Sequence, residues 1–181
     1  MDTYIMKKDL FVDLILKARK MSSMITLPQI VNASCSELDI RGVSHKGYFA
    51  TITDFKSYFD ANMSLIDLKN AQNLFNYEWP IYTRTNDSCP TQYFASADVK
   101  NSVISNGCLI EGSVENSVIG RGCQVKKGAV IKNCVVLANT VIGEDVHVEN
   151  QVIDKWAQIT REREIVAEND HPGYIRRDDI L

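Results

Sequence analysis

The back half of this chain repeats itself every six residues. From about Ala97 to Ile159 an aliphatic side chain returns at Ile104 and Ile110, at Ile119, Val125, Ile131 and Leu137, and at Ile142 and Val148. Four residues after most of these stands a small or β-branched side chain: Cys108, Val114, Cys123, Ala129, Val135, Val146 and Val152. The frame slips twice, between Ile110 and Ile119 and between Leu137 and Ile142. A unit this short cannot bury its own apolar edge and must stack on the next copy. Six is too short for a helical repeat and too long for plain strand alternation. It suits a short strand followed by a corner where Gly or Asn takes unusual backbone angles. Candidate corners are Asn106-Gly107, Glu111-Gly112, Gly120, Gly122, Gly128, Asn133, Asn139 and Gly143. Three such strands close a triangular coil, so the stretch predicts three to four coils of a parallel β-helix. The competing fold, a β-sandwich, spaces its strands about 8–12 residues apart, and the sustained step of six favours the helix.

Composition narrows the rest. In 181 residues, 45% hydrophobic content supports a core, and a net charge of −3 supplies no basic field for nucleic acid or an anionic membrane surface. No apolar run reaches the roughly 18–20 residues a membrane span needs, and Met1 to Ile5 lacks the pattern of a secretory signal. Five cysteines without a CxxC spacing read as free thiols in a cytoplasmic protein. Cys108, Cys123 and Cys134 fall within the repeat, two of them in its small inward slots.

Ahead of the repeat, Tyr4-Ile5-Met6 reads as a short strand and Lys8 to Lys20 as an amphipathic helix with Leu10, Phe11, Leu14, Ile15 and Ala18 on one face. A helical turn enters through Pro28, and Leu38 to Ile52 has mixed strand character. Asp54 is a good N-cap for a long helix over about Phe55 to Leu68. Pro80, Asn86-Asp87 and Pro90 mark a linker, with Trp79 and Tyr82 placed to pin it down. The predicted organisation is an α/β remnant over 1–70, a linker over 71–96 and the β-helix over 97–181. An α/β front with so few strands reads as part of a longer polypeptide.

Several segments together resemble sugar-nucleotide pyrophosphorylases. Gly47-Tyr48-Phe49-Ala50-Thr51-Ile52-Thr53-Asp54 followed by Ser57-Tyr58-Phe59-Asp60-Ala61-Asn62 is similar to their GYW-x-D-VGT…SYWEAN signature. Trp79-Pro80-Ile81-Tyr82-Thr83-Arg84 resembles the WPIYT linker of ADP-glucose pyrophosphorylase (glucose-1-phosphate adenylyltransferase), and the runs Asn101 to Cys108 and Gly112 to Ile119 resemble the opening of that family's C-terminal left-handed β-helix. The resemblance implies a nucleotidyltransferase that makes ADP-glucose and pyrophosphate from ATP and glucose 1-phosphate for glycogen synthesis. It implies a left-handed coil, the domain before it being the remnant of the nucleotidyltransferase domain.

Two departures point away from catalysis by this chain. No Gly-rich phosphate loop occurs in the first 90 residues. The acidic position that helps hold Mg²⁺ in active members is Thr51, and a neutral hydroxyl does not replace a carboxylate on a hard dication. The Trp-Arg pair before it is Phe49-Ala50. These losses resemble the D-type regulatory subunit of the bacterial enzyme, which implies no catalytic or metal residue here, no cofactor in this piece, and Mg²⁺ in a catalytic partner. The implied assembly is a homo- or hetero-oligomer with a catalytic subunit.

Arg161, Arg163, Arg176 and Arg177 form a basic cluster suited to a phosphorylated metabolite effector, since guanidinium binds phosphate bidentately. Glu162, Glu164, Asp178 and Asp179 interleave with them and favour local ion pairing. The alternative function is a hexapeptide-repeat acyltransferase using His147, which stands between Val146 and Val148 with no evident carboxylate to orient it. His45 and His171 read as solvated loop residues, and Lys126-Lys127 as a solvated corner.

Overall fold

In the computed structural model, residues 3–78, 80–83, 85 and 87–181 are described. The chain divides into two compact units, Met1–Lys46 and Gly47–Leu181. In the first unit, α1 (Lys8–Met21) and α2 (Leu27–Ala33) pack through Leu14, Ala18, Ile30 and Val31. Thr26 and Gln29 form a capping box at the start of α2, with Pro28 in its first turn, where a missing N–H costs nothing. Lys17 ties the pair to the following turn through Ser34 (3.1 Å) and Glu37 (2.8 Å).

The front of the chain departs from its sequence reading. Tyr4-Ile5-Met6 and residues 38–52 form no strand, and among the described residues none precedes Gln92. A segment becomes a strand only where it pairs in a ladder. The front is therefore helical rather than α/β.

In the second unit, Asp54 caps α3 (Phe55–Ser64), its carboxylate accepting from Ser57 N at 2.7 Å. The helix stops at Ser64 rather than running on to Leu68. Asp67 accepts from Lys69 N (2.7 Å) and Asn70 N (3.3 Å) and starts a new helix, α4 (Leu68–Leu74), on what the sequence suggested was one continuous rod and its linker. Tyr82 is 91% exposed and anchors nothing, while Trp79, Arg84 and Asn86 lie outside the described residues.

The rest is a parallel β-solenoid. Its first coil is β1 (Gln92–Tyr93), β2 (Asp98–Lys100) and β3 (Val103–Ile104). The second is β4 (Leu109–Ile110), β5 (Ser113–Glu115) and β6 (Val118–Ile119). The third is β7 (Gln124–Val125), β8 (Val130–Lys132) and β9 (Val135–Val136). The fourth is β10 (Val141–Ile142), β11 (His147–Glu149) and β12 (Gln151–Ile153), and the fifth is β13 (Gln158–Ile159), β14 (Glu164–Val166) and β15 (Gly173–Ile175). Every strand pairs in parallel with the one three places on, giving three five-stranded sheets. The solenoid begins slightly ahead of the expected start at Ala97, with β1, and runs on past Ile159 to β15 as the expected span of 97–181 requires.

Registry explains the frame slips. Val141 pairs with Gln124 and with Gln158, coils of seventeen, whereas Leu109 pairs with Gln124, a coil of fifteen. The corner between the second and third sheets turns on a single left-handed residue, so the aliphatic core position after Ile131 is Val136, five residues on, and not Leu137. Val135 and Val152 then face outward, where Phe59 of α3 covers them with Leu137 alongside. Cys134 is pulled inward, making three buried core thiols rather than two.

The left-handed residues at those corners are Asn101, Asn116 and Asn133, with φ of 42°, 47° and 48°. Asn tolerates the left-handed region because its short polar side chain bonds locally. Here the side chains bond each other: Asn101 Nδ2 donates to Asn116 Oδ1 at 2.9 Å, and Asn116 Nδ2 to Asn133 Oδ1 at 2.6 Å. Asn150 (φ 55°) occupies the next corner and donates to Ala167 O at 2.7 Å. The glycines divide into two kinds. Gly128 has φ +76° and no room for a Cβ against Asp145. Gly112 has no such angle; a Cβ there would lie 2.5 Å from Ala129 O of the next coil, so close approach demands it.

Candidate functional site

The solenoid's three outer faces differ. Down the second sheet the residues Lys100, Glu115, Lys132 and Glu149 stand in register with alternating charge, Lys132 Nζ lying 3.8 Å from Glu115 Oε2. His147 projects from the same face. Its Nε2 lies 3.5 Å from Glu149 Oε2 and its Nδ1 4.0 Å from Glu164 Oε1. The expectation of a histidine with no carboxylate beside it is thus corrected. Glu149 follows at strand spacing, and Glu164 sits one coil later, seventeen residues on. That coil length was the signal that would have found it.

The four arginines occupy the last coil. Arg163 Nη1 donates to Glu144 O, and Arg161 N donates to Leu181 O at 2.8 Å. The tail winds on parallel to β13, with Gln158 N donating to Asp179 O at 2.8 Å, so the segment after Arg176-Arg177 runs next to Arg161. Of the interleaved acids, Asp178 lies 3.4 Å from Arg177 Nε, and Asp179 accepts from the backbone of Arg176. Asp154 also belongs to this end. The Lys155 amide, aided by the Tyr174 hydroxyl, holds its carboxyl below the usual carboxylate range. The same bond to Asp154 pushes the Tyr174 hydroxyl up.

Thr51 lies exposed, outside any helix or strand. The nearest acid in sequence, Asp54, is engaged by the α3 cap, and its Ser57 amide partner holds its pKa low. Neither residue suits a magnesium ligand set. Among the described residues, no three His, Cys, Asp or Glu side chains gather to hold a metal. No helix among them is long and apolar enough to cross a membrane. Burial pushes the Cys134 thiol up to about 12, which suits a core packer rather than a nucleophile.

Fold and repeat define a parallel β-solenoid of the hexapeptide-repeat type, and residues 90–176 match the family model described as GlmU-like, C-terminal hexapeptide. Similarity extends over more of the chain in one relative. It is 34% identical over 174 residues to the glycogen biosynthesis protein GlgD of Bacillus subtilis, a match covering 96% of this chain and 50% of that protein. It is 32% identical over 117 residues to the glucose-1-phosphate adenylyltransferase of Corynebacterium jeikeium, covering 64% of this chain and 29% of that one. With the Fervidobacterium nodosum adenylyltransferase it shares 36% identity over 108 residues, 60% of this chain and 26% of the other. The chain thus spans about half the length of GlgD and under a third of these two adenylyltransferases.

Proposed function

We propose that the chain is part of a non-catalytic, D-type regulatory subunit of ADP-glucose pyrophosphorylase, serving assembly and regulation in glycogen synthesis in the cytoplasm. The observation that carries this reading is the contrast in coverage: the match to GlgD takes in 96% of the chain, while those to the two adenylyltransferases stop at 64% and 60%. Thr51 at the magnesium position supports it, because a catalytic subunit needs a carboxylate there. The left-handed sense of the coil follows from the same reading. Among the described residues no strand pairs with the outer edges of β1, β2 and β3. Open strand edges need cover, which an oligomer with a catalytic subunit supplies. Arg161, Arg163, Arg176 and Arg177 are the residues offered for a phosphorylated effector, and Mg²⁺ belongs to the catalytic partner.

The test is co-expression with a catalytic subunit. The expected outcome is co-purification, no adenylyl transfer by this chain alone, and an effector response that Arg176→Ala with Arg177→Ala removes. Adenylyl transfer by the lone polypeptide would sink the reading. A second reading, an acyltransferase, draws on Glu149 and Glu164 flanking His147. It requires saturable acetyl-CoA binding that His147→Ala abolishes.

A further inference from the structure

The third sheet's outer face carries a cleft of about 450 Å³ lined by Phe55, Tyr58, Leu137, Val152, Asp154 and Tyr174. Its lining is aliphatic and aromatic, with one carboxylate. The Phe55 and Tyr174 rings meet edge to face, centroids 5.8 Å apart at 74°, yet stay 39% and 54% exposed. Tyr174 Oη donates to Asp154 Oδ2 at 2.8 Å, and Lys155 N donates to Oδ1 at 2.6 Å. An ionised carboxylate has about four acceptor sites, so this one, held in place, still has acceptor capacity to offer.

We propose that this cleft binds a neutral pyranose ring of an oligosaccharide, stacked on the exposed aromatic rings with its hydroxyls donating to Asp154. Apolar walls with a few fixed polar groups are the usual make-up of a small-ligand site, and the volume falls within the roughly 300–1,000 Å³ such sites occupy. Charge decides between ligand classes. Lys155 and Arg177 act on Asp154, while Arg176 and Asp179 act on Tyr174. With Asp178 against Arg177, the acids Asp154, Asp178 and Asp179 are matched by Lys155, Arg176 and Arg177, so an organic cation finds no net negative field. An anionic ring would meet the Asp154 carboxylate. An apolar peptide would cover that carboxylate without satisfying it. A ring with one CH-rich face and several hydroxyls meets each demand. Adenylyl transfer plays no part in this proposal, which stands or falls separately from the subunit reading.

The test titrates the full chain with maltotriose and, separately, cellotriose, followed by calorimetry and by NMR shifts. Saturable binding of either, with Kd on the order of 1 mM, is expected. Tyr174→Ala removes a stacking ring and weakens it about tenfold or more. Tyr174→Phe keeps the ring, loses only the bond to Asp154, and weakens binding about two- to threefold. Preference for maltotriose identifies an α-linked glucan and preference for cellotriose a β-linked one; both support the cleft. Absence of saturation with either sugar, or full affinity in a Tyr174→Ala protein with unaltered circular dichroism, overturns it.

Discussion

The helical unit and the solenoid solve the same burial problem differently. In Met1–Lys46 two short helices meet along one stripe, and Phe11, Ile15 and Leu16 of α1 stay substantially exposed. In the solenoid an inward residue of a middle coil has another aliphatic stacked above it and below it. Ile110, Val125, Ile142 and Ile159 form one fully buried column, and Val114, Ile131 and Val148 another. Stacking thus gives complete burial to side chains of modest size, where a helix pair leaves its flanks wet. The difference lies in geometry rather than composition, since both regions use ordinary aliphatics.

The largest effect follows from that contrast. Ile131→Ala in the middle of the column leaves a hole walled on both sides by neighbouring coils, which have little freedom to collapse. The cost should lie toward the upper end of the roughly 2–5 kcal/mol seen for such truncations. Leu14→Ala, in a cluster open to solvent at its rim, should fall toward the lower end. Denaturant unfolding of both variants decides the matter, and equal losses would break the comparison.

Next comes the corner. Asn133→Ala retains the backbone position without the side chain that makes φ 48° tolerable, and it removes the acceptor for Asn116 Nδ2. A left-handed penalty of about 1–2 kcal/mol and a lost hydrogen bond of about 1 kcal/mol add. Asn133→Gly should recover most of the first and none of the second. If alanine and glycine cost the same, the corner is held by something other than its backbone angle.

These two positions also show how much was legible. Ile131 stands out in the sequence because aliphatic spacing reports inward position directly, and Asn133 because few residues accept a left-handed corner. Leu137 misled, because a fixed step of six cannot register a corner that spends one residue fewer. Only the pairing of Val118 with Val135 and of Val135 with Val152 reveals the slip. The outward valines were invisible for the same reason: their role depends on α3 lying over them. The carboxylates around His147 are separated from it by strand and coil spacing, so they emerge only once coil length is known. The four arginines were visible as a cluster, but the parallel pairing of the tail with β13 is a tertiary fact.

A smaller effect is expected at α4. Asp67→Ala leaves the amides of Lys69 and Asn70 without their acceptor at a helix of seven residues with no buried side chain. The cap is worth about 1 kcal/mol to the helix. Because α4 contributes nothing to the solenoid core, fraying by hydrogen exchange should rise while the global unfolding midpoint barely moves. A large drop in the midpoint would show that the solenoid depends on this segment.

The smallest effect is a pH dependence at the Asp154–Tyr174 pair. The folded state holds the Asp154 carboxyl below its ordinary value of 3.8, through the Lys155 amide first and the Tyr174 hydroxyl after it. A depressed carboxylate contributes stability that is fully present above the unfolded value and is lost as pH falls through the folded one. The window therefore lies from 3.8 downward. Asp154 is only partly buried at the rim of the cleft, so solvent screening keeps the contribution small. Asp154→Asn should flatten the acid limb of the stability curve slightly and leave the neutral limb parallel to the original. Tyr174→Phe should flatten it less, since the amide bond remains. A steeper acid limb in either variant would mean that the carboxyl is disfavoured rather than favoured in its charged form. The outer face of the third sheet would then be tuned by burial, as the core is, and not by the hydrogen bonds that distinguish it.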